Sequence, residues 1–231
     1  MSVQRTESVR TPDGEFDLTV WAPDGGGPAV LVIQEIFGVG EYIEAVAGDL
    51  VELGYVAAAP DMFWRLRPGW RAGHDDKGLA ESMDLASQFD MTTGVADVAA
   101  AYQHLSQLPE VTGGVALLGF CFGGTVAFVS AASIQPAAVL SFYGSGVPSQ
   151  LDLLDQIKSP LQLHFGGNDP YIPAQKVADV AAAVEGRAGV ELHIQPDGGH
   201  AFHNRVAPQF YQPEPAEQAW ALAVDFLRRH L

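Results

Sequence analysis

A single cysteine, Cys121, stands in 231 residues, so no disulfide can close within the chain. The lone thiol fits a reducing compartment or a reactive role. Lysine is scarce too: three lysines and nine arginines face 28 Asp and Glu, for a formal net charge of −16 and a pI near 4.5. Such a surface repels phosphate backbones and anionic membranes, which argues against nucleic acid or a membrane as partner and leaves a small molecule. No stretch reaches the ~18 consecutive apolar residues of a transmembrane helix. The opening MSVQRTESVR is polar with no apolar h-region, and the expected location is cytoplasmic. Nothing resembles an interdomain linker or an internal repeat. With 48% hydrophobic and 17% charged residues, the chain suits one domain, 1–231, around a sizeable core.

What is present has α/β texture. ESVRT, a turn at Pro12-Asp13-Gly14 and FDLTVWA, with Phe16, Leu18 and Val20 alternating, predict an N-terminal hairpin. Near-unbroken apolar runs follow at 29–33, 55–59, 115–119, 138–143, 161–165 and 190–194, as expected for strands of a parallel sheet buried on both faces. Helical patterns separate them. Val95, Val98, Ala99, Tyr102 and Leu105 recur at helical spacing after an N-cap at Thr92 or Thr93, residues 41–53 end at Gly54, and Trp220, Ala223, Val224 and Leu227 form a late stripe. The alternation predicts a mostly parallel central sheet with helices on both faces. Pro60 to about Gly78 reads as one long irregular loop carrying Trp64, Arg65, Arg67, Trp70 and Arg71.

Cys121 lies in GFCFGG, between an apolar run and a run of small residues: strand, glycine-flanked turn, helix. The pattern G-x-C-x-G has a cysteine where the nucleophile elbow carries serine, and the following helix N-terminus favours a thiolate. The six residues alone equally suit a small buried hydrophobe. A nucleophile needs a base, and the base an orienting acceptor. Asp169 in FGGNDPYIP and His200 in DGGHAFHNR follow later strands, in the nucleophile–acid–histidine chain order of α/β-hydrolases. Asp169 before Pro170 also suits a turn or a helix cap, and His200 a surface loop. Cys121, Asp169, His200 and His203 together offer zinc-type ligands, but no second cysteine and no HExxH helix accompany them; no metal and no cofactor are expected.

Together with QEIFG (34–38), PDMF (60–63) and FDM (89–91), the segments GFCFGG, GGNDPYIP and GGHAF resemble the dienelactone hydrolase family over about residues 5 to 230. The resemblance implies an α/β-hydrolase fold with Cys121 as nucleophile, His200 as base and Asp169 as its orienting carboxylate. It further implies that Glu35 contacts the resting thiol and helps activate it when substrate binds. The oxyanion hole would be the backbone N–H groups of Ile36 and Phe122. Arg65 aligns with an arginine that grips a substrate carboxylate, and Arg205 lies near a second such position. That second position, four residues after the histidine, holds Asn204 here, and Ala201 stands where the well-studied members carry serine. Residues 79–88 lack the aromatics found there in those enzymes. Phe37 and Tyr143 complete the substrate-binding candidates. The implied activity is hydrolysis of a lactone or small carboxylic ester through a thioester acyl-enzyme, with an anionic, carboxylate-bearing lactone as the family default and a neutral ester or another lactone as the alternative. The alternative to an enzyme is a catalytically silent binding or regulatory protein on the same fold.

Overall fold

In the computed structural model, which describes residues 3–231, the hairpin forms β1 (Val3–Thr11) and β2 (Gly14–Ala22), paired antiparallel from Val3↔Ala22 to Thr11↔Gly14. Gly14 turns the corner at φ 149°, a conformation open to glycine. Phe16, Leu18 and Val20 are buried while Glu15 and Asp17 face water, so the period-2 pattern maps onto the two faces of β2. Six further strands follow: β3 (Gly27–Ile33), β4 (Val56–Pro60), β5 (Val111–Phe120), β6 (Val139–Phe142), β7 (Leu161–Gly166) and β8 (Val190–Gln195). They complete an eight-stranded sheet in the order β1-β2-β4-β3-β5-β6-β7-β8. Pairing is antiparallel at β1–β2 and β2–β4 and parallel across the rest. Every residue of β4, β6 and β7 is buried, which accounts for their largely apolar texture, broken only by Ser141 in β6 and by Gln162 and His164 in β7.

The flanking helices are α1 (Glu41–Glu52), α2 (Asp76–Gln88), α3 (Met91–Ser106), α4 (Phe122–Ser130), α5 (Ala174–Val184) and α6 (Pro213–His230). Gly54 follows α1 at φ 91°, a left-handed position that a Cβ would strain. On α6, Ala223, Val224 and Leu227 are buried and Trp220 is half-buried. Two expectations are corrected. The N-cap of α3 is Asp90, whose Oδ1 accepts the Thr93 N–H at 2.8 Å, rather than a threonine. The irregular segment is also shorter than expected, because Asp75 caps a helix that starts at Asp76, its Oδ1 accepting the Gly78 N–H at 2.7 Å. What precedes that cap is ordered by the Asp61 carboxylate, which accepts the N–H groups of Phe63 (3.0 Å) and Gly69 (2.7 Å). Among the described residues no helix is long and apolar enough to cross a membrane.

Candidate active site

Cys121 is the entire turn between β5 and α4. It sits at φ 52°, ψ −115°, a sparsely populated conformation for a residue with a Cβ, fixed by its N–H donating to the Phe142 carbonyl at 2.9 Å. The flanking glycines are steric requirements. A Cβ on Gly119 would overlap the Gly123 carbonyl, and one on Gly123 would overlap the carbonyls of Ile33 and Gln34. Chain reversal in so little space lifts Sγ above the carboxyl end of the sheet.

Residues from three further strand ends converge there. His200, after β8, places Nε2 3.0 Å from the Cys121 Sγ. Its Nδ1 is 2.7 Å from Oδ2 of Asp169, which follows β7. The other oxygen, Oδ1, accepts the N–H groups of Tyr171 (2.8 Å) and Ile172 (3.2 Å). Asp169 therefore both shapes the turn before α5 and aims the imidazole. Burial of His200 disfavours its charged form, but Cys121 and Asp169 outweigh burial and raise its pKa to about 10.

Glu35, two residues past β3, is buried, and its Oε2 accepts from Asn204 Nδ2 at 2.9 Å while Oε1 has no hydrogen-bond partner. Burial pushes its carboxyl up to about 7 against the opposing pull of His200, Asn204 and Tyr143. Asn204 Nδ2 also lies 3.0 Å from His74 Nε2, a contact in which the imidazole accepts, as suits a ring whose charged form burial disfavours. The expected contact between Glu35 and the resting thiol is absent: the Sγ hydrogen bond goes to His200.

Cys121, His200, Glu35, Ile36, Phe37 and Phe122 all border one cavity of about 350 Å³. Phe122 opens α4, so its N–H has no carbonyl in a preceding helical turn, and the Ile36 N–H has no acceptor among the described residues. Tyr143 does not reach the cavity. It is fully buried beneath it, its ring centroid 5.4 Å from that of His200 and its hydroxyl 3.2 Å from that of Tyr42. His203 turns away as well: Nδ1 meets the Tyr42 hydroxyl at 2.8 Å, and the ring packs between Phe120 and Trp220. The four zinc-type ligands are thus not assembled, and among the described residues no cluster of three or more His, Cys, Asp or Glu is arranged to hold a metal.

Both expected carboxylate-binding arginines are engaged elsewhere. Arg65 Nε and Nη2 grip Asp97 at 3.0 and 2.8 Å, Nη1 meets Asp13 at 2.9 Å, and the guanidinium lies over the Trp64 ring. Arg205 holds Asp49 in a two-point contact at 2.6 and 2.9 Å and the Ala45 carbonyl at 3.2 Å. Neither borders the cavity. One wall instead comes from Leu79, Met83 and Ala86 of α2, with Met91 and Phe210 also lining the cavity. Sequence reasoning missed these residues, although 79, 83 and 86 share one helical face and would have marked the wall.

A mostly parallel sheet with a thiol on a strand–helix elbow, and an acid and a histidine after later strands, defines an α/β-hydrolase. Within that class, the profile of the dienelactone hydrolase family matches residues 16–231, and the chain belongs to that family. The carboxymethylenebutenolidase of Pseudomonas sp. (strain P51) is 32% identical over 218 residues, covering 94% of this chain and 91% of its own. That of Pseudomonas putida is 31% identical over 223 residues, covering 95% and 94%. A solved structure of a dienelactone hydrolase-like promiscuous phosphotriesterase, P91, from metagenomic libraries shares the fold with a TM-score of 0.82 at 20% identity, over 99% of this chain and 98% of that one.

Proposed function

We propose that the protein hydrolyses lactones or small carboxylic esters through Cys121, His200 and Asp169. The observation that carries this reading is the continuous line from Sγ to Nε2 at 3.0 Å and from Nδ1 to Asp169 Oδ2 at 2.7 Å, at the floor of a ligand-sized cavity. His200 takes the thiol proton, and Sγ attacks the carbonyl carbon. The carbonyl π pair moves onto oxygen, where the Ile36 and Phe122 N–H groups stabilise it. Collapse of the tetrahedral intermediate breaks the carbon–oxygen bond. The departing alkoxide receives its proton from His200, and in a lactone it stays tethered to the acyl group. Water then gives a proton to His200 and attacks the thioester, Sγ leaves and takes that proton back from His200, and the free acid is released. Asp169 keeps the imidazole in the tautomer and orientation that both half-reactions need. Glu35 stands on the cavity wall, where its charge acts on the His200 imidazolium.

Cys121→Ala and His200→Ala should each lower kcat/KM for p-nitrophenyl acetate by ~10³-fold or more. Intact-mass spectrometry of the wild type under rapid quench should show an acetyl adduct on Cys121. Near wild-type turnover in either purified variant would overturn the assignment, and an unmodified Cys121 with no hydrolysis would favour a silent binding protein.

A further inference from the structure

We propose that the substrate portion seated beside Cys121 is uncharged and apolar and lies against α2, so that this enzyme selects neutral esters or lactones over carboxylate-bearing ones. The inference rests on the hydrolase reading above and names its substrate class. Leu79, Met83 and Ala86 present one apolar face of α2 to the cavity, and no lysine or arginine lines it. A carboxylate bound there would lose its water and meet no cation but the His200 imidazolium, which Cys121 and Asp169 already engage, and it would share the space with the Glu35 carboxyl. The two arginines expected to supply a counterion have their guanidinium groups on Asp97, Asp13 and Asp49, and freeing Arg65 would strand the buried Asp97. Arg71 borders an adjoining cavity of about 340 Å³ beyond Glu35 and Phe37, and its Nη1 is 2.8 Å from Glu44. Met83 is 53% and Tyr171 57% exposed while lining the Cys121 cavity, so its rim as well as its wall offers apolar surface.

The test compares kcat/KM for p-nitrophenyl pentanoate and mono(p-nitrophenyl) glutarate, which have five-carbon acyl chains ending in a methyl or a carboxylate. Both are measured on the same preparations of wild type, Arg65→Ala, Arg71→Ala, Arg205→Ala and Met83→Arg. The wild type should favour the neutral ester by ~30-fold or more, a preference within reach of pocket desolvation. The ratio should survive each arginine removal within ~2-fold, because each ratio is internal to one preparation and a loss of folded protein cancels. Met83→Arg places a cation at an exposed rim position, where folding is not at stake, and should narrow the ratio ~10-fold. A wild-type ratio at or below one, or an arginine variant that selectively loses the glutarate ester, overturns the proposal. A ratio unmoved by Met83→Arg overturns the seating against α2. Failure of the hydrolase reading looks different: neither ester is cleaved and Cys121 stays unacylated, and the substrate class falls with it.

Discussion

Glu35 has an ordinary carboxyl value of 4.5, and burial moves it to about 7 in the folded protein. A carboxyl raised in this way binds its proton more tightly folded than unfolded, so its contribution to stability is complete below 4.5 and is lost as pH rises through about 7. Glu35→Gln keeps an oxygen for the Asn204 amide and removes the charge. The variant should match wild type in urea denaturation at pH 4.5 and exceed it at pH 8 by up to ~3 kcal/mol. Stability curves that run parallel between those two pH values would show that the carboxyl is not held neutral by burial. Asp169 tests the opposite case, an acid whose charge is used. Asp169→Asn can still accept from Tyr171 and Ile172 but offers His200 Nδ1 no anion. Its kcat should fall on the order of 10³–10⁴-fold, with unfolding little changed.

At the scale of elements, the elbow and the end of β3 are mechanically one piece. Gly123 packs so closely on the Ile33 and Gln34 carbonyls that a methyl group there must push β3 away from α4. The displaced segment carries Ile36 and the first residue of α4 is Phe122, so Gly123→Ala should separate the two backbone N–H groups as well as destabilise the fold. We expect a loss of ~2–4 kcal/mol by denaturant titration and a fall in kcat in the fraction that remains folded. Wild-type stability would mean that the two elements are not in contact. The sheet was legible because strands buried on both faces leave nearly unbroken apolar runs, and the elbow because its glycines are steric necessities. Helix α2 went unread although 79, 83 and 86 share an apolar face, because its buried face holds Gly78, Ser82 and Leu85, two small residues and one leucine, which is too polar a stripe to read as core. Its apolar residues at 79, 83 and 86 line the cavity instead.

For the whole molecule, what the chain could not disclose was pairing at a distance. Arg65 reads as a free cation until α3 brings in Asp97, 32 residues away, and nothing local singles out that acid among 28. The same excess of acids gives the protein a field of its own. A formal charge of −16 repels an anionic ester during approach and leaves a neutral one unaffected, and at 10 mM salt that repulsion reaches ~30 Å from the surface. Inside the cavity, discrimination comes from desolvation and the lack of a free counterion, which dissolved salt barely screens. The two contributions can therefore be separated by ionic strength. Raising NaCl from 10 to 500 mM should increase kcat/KM for mono(p-nitrophenyl) glutarate several-fold and leave p-nitrophenyl pentanoate unchanged within ~2-fold, so that the preference narrows to a plateau that is still well above one. The height of that plateau measures the pocket, and the rise towards low salt measures the surface. A preference that salt abolished would assign selectivity to the acidic surface and leave the α2 wall without a role in it. A preference indifferent to salt would mean that the fixed charges lie too far from the cavity mouth to influence encounter.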